Sequence, residues 1–357
     1  MAAQSESDAM WMARALRLAS LSLGMTWPNP GVGCVLVRDG QLIGQGRHTL
    51  CGDLHAETSA LVDCERRFQD PRGATAYVTL APCTRQGRQP PCVDALIAAG
   101  VVRVVAAIAD PHQDDARAKL AAAGVTFEAG CLGHIASHIH GGFLTRIRHR
   151  RPRITGKWAQ SRDGFIAAAP MTRTQISDDR SYALMRRRRR AFDAILVGAG
   201  TVAADNPALT TPRPRNHGRD PGPLRVVVAR DGRIPGARLR DGSAPTLVIH
   251  QCKHERRLAY PQIQNIEVAD AHDPTQVATE LGRLGVNDLM VEGGAMVHRA
   301  WLSIYDRLEI YVGDADLGDG VPAPPLPTDG WIAESAPQRV GTTAITRWTR
   351  LQSKTST

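Results

Sequence analysis

His55-Ala56-Glu57, Pro82-Cys83 and Pro91-Cys92 bring an imidazole, a carboxylate and two thiols together in the order that builds a water-activating zinc centre. One nitrogen and two sulfur ligands suit Zn2+ and leave a fourth tetrahedral position for water, while Glu57, which is not a ligand, can shuttle protons beside it. Such a centre removes the amino group of an aromatic amine by hydrolysis. Eight residues, Thr84 to Pro91, separate the cysteines, where the commonest form of the motif has two. Pro90-Pro91 ahead of Cys92-Val93-Asp94-Ala95-Leu96 predicts that the second cysteine opens a helix, where the dipole and the terminal N–H groups favour a thiolate. Unrelated buried thiols and a core histidine would have to produce the His-x-Glu and both Pro-Cys pairs by coincidence.

These residues need elements to hold them. Met12, Ala15, Leu16, Ala19 and Leu23 predict a helix over 8–24, ended by Pro28-Asn29-Pro30. Val32–Val37 and Leu42–Gly46 read as strands joined by a hairpin at Asp39-Gly40. A helix from His55 to about Phe68, a strand at Ala76–Leu80, the Cys92 helix, a strand at Val101–Ile108, a helix near 114–123 and a strand at Val125–Glu128 complete an α/β/α layer order. The Arg-rich stretch up to Arg151-Pro152-Arg153 marks a domain boundary, giving residues 1–150 and 151–357. The second part alternates again, with strands near 154–159, 194–198, 224–229, 245–249, 288–291 and 307–312, and helices near 178–191, 274–284 and 294–303. Residues 205–223, rich in Pro, Asn, Arg and Gly, read as a long surface loop, and the tail from Lys354 as frayed.

With 357 residues and 43 % hydrophobic content the chain can fill two cores and is too apolar to be disordered. Seven cysteines without a regular framework exclude a disulfide scaffold and point to a reducing, cytoplasmic setting. Neither a signal peptide nor a membrane span is visible. A net charge of +9 suits nucleic acid or phosphorylated small molecules, and 4 % aromatics argues against a surface that stacks bases. Arg186 to Arg190 run right round a helix at roughly 100° per residue, so at least one must face inward. Gly293-Gly294, between a strand and a helix, would let backbone N–H groups approach a diphosphate, or merely permit a tight turn.

Beyond their own chemistry, Asn29-Pro30-Gly31-Val32-Gly33, His55-Ala56-Glu57, Cys83 with Gly87-Arg88, Pro90-Pro91-Cys92 and Asp94-Ala95-Leu96-Ile97 resemble the first half of the bifunctional riboflavin-biosynthesis deaminase/reductases, the RibD or RibG family, which shares the eight-residue cysteine gap. Lys157 with Ser161, Asp163 and Gly164, Gly198 to Thr201 leading to Asp205–Thr210, and Glu292-Gly293-Gly294 are similar to its second half. The resemblance implies a cytidine-deaminase-like α/β/α sandwich followed by a dihydrofolate-reductase-like α/β domain. It also implies Zn2+ on His55, Cys83 and Cys92, Glu57 as proton shuttle, and Asn29 on the pyrimidine or ribose. In the reductase half it implies Lys157, Arg189, Asp205, Leu209 and Glu292 at the substrate, with the Arg189 fork toward a phosphate, and Ala159, Thr201, Asp205, Gly293 and Gly294 on NADPH.

The activities so implied are hydrolytic deamination of 2,5-diamino-6-ribosylamino-4(3H)-pyrimidinone 5′-phosphate and NADPH-dependent reduction of 5-amino-6-(5-phosphoribosylamino)uracil to the ribityl form. The partner is then a phosphorylated pyrimidine rather than a membrane or nucleic acid, and a homo-oligomer is compatible with it. The chain departs from the family pattern at Ala81 and Arg85, in a shortened segment after Asp110-Pro111, at Gln175-Ile176-Ser177, at Asn206 and over Val312–Ala315. Two other readings stay open at this point: a nucleic-acid base deaminase with a basic accessory domain, and a deaminase whose C-terminal domain only binds a pyrimidine or oligomerises.

Overall fold

Met12, Ala15, Leu16 and Ala19, each no more than 3 % exposed, line one face of α1 (Ala2–Ser20) and seat it on a sheet. The computed structural model describes residues 2–87, 89–111, 116–212, 219, 222–236, 238–251, 263–326 and 329–351. Arg88, the start of the helix expected near 114, much of the loop expected over 205–223 and the tail from Lys354 lie outside them. The chain forms two compact units, Met1–Arg150 and Arg151–Thr357.

In the first unit, α1 is followed by β1 (Gly33–Arg38), β2 (Gln41–Arg47), α2 (Ala56–Arg66), β3 (Thr75–Val78), α3 (Cys92–Ala98), β4 (Arg103–Ala106), α4 (Ala116–Ala122), β5 (Thr126–Ala129), α5 (Gly133–Ile139) and α6 (Gly141–His149). The sheet runs β2-β1-β3-β4-β5, antiparallel through β3 and parallel from β3 to β5. Leu36, Val78, Leu96, Val104 and Leu120 form a core on one face. Met12, Leu16, Val35, Tyr77, Val105 and Ala136 form another on the opposite face. This is the α/β/α sandwich read from the sequence.

Two glycines decide where α2, and hence the site, comes to rest. A Cβ on Gly44 would stand 2.5 Å from the Ala60 carbonyl oxygen, and one on Gly46 2.4 Å from the Ala60 nitrogen. Only bare backbone on β2 lets α2 lie this close. Helices α5 and α6 were not expected from the sequence, and the Arg-rich stretch ahead of Arg151 is largely the end of α6. Phe143 and Leu144 are buried, Arg146 Nη2 donates to the Pro28 carbonyl at 2.8 Å, Arg148 is exposed, and Arg150 at a φ of 55° ends α6.

An ion-pair cluster ties α1 to the sheet. Asp8 accepts from Tyr77 Oη at 2.7 Å and from Arg103 Nη1 and Nη2 at 2.9 and 2.7 Å, and Arg103 Nε donates to Glu128 at 2.7 Å. The Arg103 hydrogen bonds hold the Asp8 carboxyl below its ordinary 3.8, against the opposing effect of burial. A lowered folded-state pKa stabilises the fold above the unfolded value, and that contribution is lost as pH falls through the folded one. Asp8→Asn should therefore lower the melting temperature of the first unit near neutral pH, and the gap to wild type should shrink below about pH 4. Melting curves across that range check it.

The second unit comprises β6 (Arg153–Gln160), β7 (Phe165–Ala167), α7 (Asp179–Arg188), β8 (Ala194–Gly198), α8 (Ala199–Asp205), β9 (Leu224–Val228), β10 (Thr246–His250), β11 (Gln264–Glu267), α9 (Pro274–Arg283), β12 (Asp288–Val291), α10 (Ala295–Trp301), β13 (Arg307–Val312), β14 (Val321–Pro322), β15 (Trp331–Ala333), β16 (Gln338–Val340) and β17 (Thr343–Arg350). Its main sheet runs β11-β10-β9-β8-β12-β6-β13-β17-β15, with β16 also on β17. The run from β11 to β13 is parallel, and β17 closes it antiparallel. Buried Ile195, Val197, Val227, Val248 and Met290 carry one core of this unit. Asp178 caps α7 by accepting from Ser181 N, and the five arginines end α7 and enter a short 3-10 turn, Arg189–Ala191, in which Arg189 is the buried one.

Candidate active sites

His55 occupies the N-cap position of α2 and Glu57 its first turn, while Cys83 follows β3 and Cys92 is the first residue of α3. The loop between the cysteines is closed by two backbone contacts: Val93 N donates to Cys83 O at 3.2 Å and Cys92 N to Cys83 Sγ at 3.3 Å. His55 Nδ1 then stands 3.6 Å from Cys83 Sγ and 3.3 Å from Cys92 Sγ, and the three donor atoms lie within 4.8 Å of one another. Tetrahedral Zn2+ with bonds of about 2.0 Å to nitrogen and 2.3 Å to sulfur separates such ligands by about 3.6 Å, so the cradle fits the ion.

The electrostatics point the same way. The Cys83 thiol is pulled down to about 4, chiefly by its hydrogen bond with Cys92 and then by His55, whereas Cys92 is pushed up by the Cys83 sulfur and by burial. Two neighbouring sulfurs thus share one proton, and a dication is what allows both to ionise. Glu57, 4 % exposed, is raised to about 7 by burial first and then by the negative Cys83.

Asn29 joins this site through a residue the sequence reading missed. His48 is buried, its Nδ1 lies 3.0 Å from the Leu54 carbonyl, its Nε2 lies 3.3 Å from Asn29 Nδ2, and its ring stands edge-on to His55 with centroids 5.3 Å apart. Because a carbonyl only accepts, Nδ1 carries the proton and Nε2 accepts from the Asn29 amide. A single histidine in the loop after β2 gave no spacing signal.

In the second unit Arg189 donates Nε and Nη2 to Glu292 at 2.7 and 2.8 Å, and Nη1 to the Thr210 carbonyl at 3.3 Å. Burial would raise the Glu292 carboxyl, but Arg189 and then Lys157 outweigh it and hold it below the usual range. Burial lowers the Lys157 ammonium, which lies 5.0 Å over the Tyr311 ring. Leu209 is buried with a φ of 52°. Asp205 ends α8 half buried, its carboxyl raised by desolvation and opposed by Arg173.

Gly294 N donates to Thr201 Oγ1 at 2.9 Å, so the turns after β8 and β12, adjacent in the sheet, are fastened together. A Cβ on Gly293 would come within 2.6 Å of the Val297 Cβ. Ala159 lies opposite Tyr311 and packs into the cluster of Met185, Tyr311 and Ile345. The structure therefore groups Arg189, Glu292 and Lys157 in one place and Thr201 with Gly293 and Gly294 in another.

Fold and site together define a zinc-type deaminase joined to a reductase-like parallel-sheet domain. Residues 5–108 match the cytidine and deoxycytidylate deaminase zinc-binding region, and residues 152–347 match the RibD C-terminal domain. The chain is 34 % identical to the riboflavin biosynthesis protein RibD of Aquifex aeolicus, over 88 % of this chain and 89 % of that one, and 35 % identical to RibD of Escherichia coli, over 87 % and 89 %. Among solved structures, a Thermotoga maritima diaminohydroxyphosphoribosylaminopyrimidine deaminase/5-amino-6-(5-phosphoribosylamino)uracil reductase superposes with a TM-score of 0.86 at 27 % identity, covering 97 % of this chain and 99 % of that one. The Acinetobacter baumannii RibD gives 0.86 at 28 %, covering 98 % and 100 %.

The chain belongs to the RibD family of riboflavin biosynthesis, with a deaminase and a reductase domain, and the two alternatives left open by the sequence give way to that membership. No helix among the described residues is long and apolar enough to cross a membrane.

Proposed function

We propose that the first unit deaminates 2,5-diamino-6-ribosylamino-4(3H)-pyrimidinone 5′-phosphate. The second unit then reduces the resulting 5-amino-6-(5-phosphoribosylamino)uracil to its ribityl form with NADPH. The observation that carries the reading is the convergence of His55 Nδ1, Cys83 Sγ and Cys92 Sγ within 4.8 Å beside a carboxyl that water barely reaches. The paired activities of the Thermotoga protein support the order of the two steps.

His55, Cys83 and Cys92 would hold Zn2+, which when bound supplies the Lewis acidity that makes a water nucleophilic near neutral pH. Glu57 moves the protons, passing the first proton of the attacking water to the ring nitrogen and the second, from the hydroxyl it leaves on carbon, to the departing amine. Asn29, its amide oriented by His48, hydrogen-bonds the pyrimidine or ribose. In the second unit the nicotinamide provides the hydride, so the side chains need only align and bind. Gly293, Gly294 and Thr201 support the cofactor side, with Ala159 and Asp205, while Lys157, Arg189, Asp205, Leu209 and Glu292 shape the substrate end.

The test is to supply the diaminopyrimidine phosphate with and without NADPH and identify products by mass. Zinc is held only by the first unit in this reading. Chelation should therefore abolish ammonia release while reduction of separately supplied aminouracil continues, and should lower the melting temperature of the first unit alone. Equal loss of both activities would contradict the division of labour.

A further inference from the structure

Arg225, the second residue of β9, sits in the middle of the parallel sheet with no solvent exposure. Taking a guanidinium out of water is costly, and an apolar side chain of similar volume fills such a position more cheaply. The charge is held by a dense set of acceptors. Nε donates to Thr246 Oγ1 at 2.9 Å, and Nη2 to the carbonyls of Leu239 and Ala244 at 3.3 and 2.7 Å. Nη1 reaches the carbonyls of Ala208 and Arg238 at 3.4 and 3.1 Å, Ser243 Oγ at 3.3 Å and Asp241 Oδ1 at 3.2 Å. Asp241, the one carboxylate in the set, has a side chain 42 % exposed, so ion pairing is a small part of what holds Arg225.

The carbonyls that Arg225 gathers lie outside the strands, so no sheet ladder fixes them. Arg238 and Leu239 stand in a short 3-10 turn, Arg238–Arg240, with Ala244 beyond it, and Ala208 stands in the turn 206–210. That turn is strained, with Asn206 at a φ of 40° and Leu209 at 52°, a region that residues with side chains seldom adopt. The two segments also grip each other. Arg238 N donates to Asn206 Oδ1 at 3.2 Å, and a Cβ on Gly236 would stand 2.7 Å from that same oxygen. Arg225 thus holds the turn twice, directly at Ala208 and indirectly through the segment that caps Asn206. One residue past Leu209, the Thr210 carbonyl receives Arg189, the partner of Glu292.

We infer that Arg225 is a positioning residue for the substrate end of the reductase site, fixing the Asn206–Thr210 backbone so that Leu209 and the Arg189–Glu292 pair stand where the substrate needs them. The inference rests on the reading of the second unit as a reductase. Its test uses the zinc-loaded full chain, with the aminouracil phosphate and NADPH as substrates.

Arg225→Lys keeps the charge but cannot span the acceptors, and Asp241→Ala removes from the surface the one acceptor shared by Arg225 Nη1, Ser243 N and Ser243 Oγ. The KM for the aminouracil should rise about tenfold in the first and about threefold in the second. The KM for NADPH and the deaminase turnover should stay within about twofold of wild type. A folded Arg225→Lys enzyme with an unchanged aminouracil KM overturns the inference. So does a rise shared equally with NADPH that follows the loss of melting temperature, which is what a purely structural role produces. Where the lysine variant does not fold, Asp241→Ala decides, and an unchanged KM there is equally fatal. A wild-type chain that reduces nothing rejects the reductase reading itself.

Discussion

Glu57→Gln is expected to lower deamination by about 10³-fold or more while zinc stays bound and the reductase works at its normal rate. Glutamine has the same shape and can still hydrogen-bond, but it cannot carry a proton from water to a ring nitrogen. Glu57 is 4 % exposed, so no solvent acid stands close enough to replace it. Its carboxyl, raised to about 7 by burial and then by Cys83, already sits in the range where taking up and giving back a proton are both inexpensive, although a bound dication would draw it down again. Metal analysis, ammonia release and NADPH oxidation on one preparation separate the possible outcomes. Retained turnover would remove Glu57 from proton transfer, and a zinc-free variant would make it part of the cradle instead.

The first unit was legible because its chemistry is local in sequence and its strands are short apolar runs. His-x-Glu at a helix start and Pro-Cys at another say where the elements begin as well as what they carry. What escaped depends on contacts between distant segments. Asn29 and His48 meet only when the chain ahead of β1 and the loop after β2 are brought together. Arg225 reads as a polar interruption of Leu224-Arg225-Val226-Val227-Val228, and its burial appears only once residues 238–246 fold over it.

Strand β17 was missed because Thr343–Arg350 buries few of its residues and uses polar ones to pair: Arg347 Nε donates to buried Glu309 at 3.4 Å, where Arg188 also arrives at 2.8 Å. Helix geometry required one inward-facing arginine among Arg186–Arg190, and the family resemblance alone singled out Arg189. Its fork, expected to meet a phosphate, already spends Nε and Nη2 on Glu292. Any phosphate must share the guanidinium with that carboxylate.

The sharing makes Arg189→Met more than a binding mutation. Both side chains of the pair are 7 % exposed, so removing the cation strands a carboxylate in the interior, a change that typically costs about 3–5 kcal/mol. Lys157, whose charge also lowers Glu292, should keep the loss toward the lower figure. The sign of the pH response distinguishes this from a lost packing contact. In the intact pair the Glu292 carboxyl lies below its ordinary value of 4.5, so its stabilisation is complete above that pH and fades only in acid. Without Arg189, burial raises the same carboxyl, and a raised folded-state pKa favours the fold more as pH falls. The second unit of Arg189→Met should therefore regain part of its lost melting temperature between about pH 8 and pH 5, where wild type gains nothing. Adding Glu292→Gln should restore part of the stability and abolish the pH response of the stranded carboxylate, leaving Lys157 to Glu309 and the Tyr311 ring, while reduction stays impaired. If the single variant melts with the same deficit at both pH values, Glu292 is not the group left uncompensated, and the buried pair does not set the electrostatics of the reductase site.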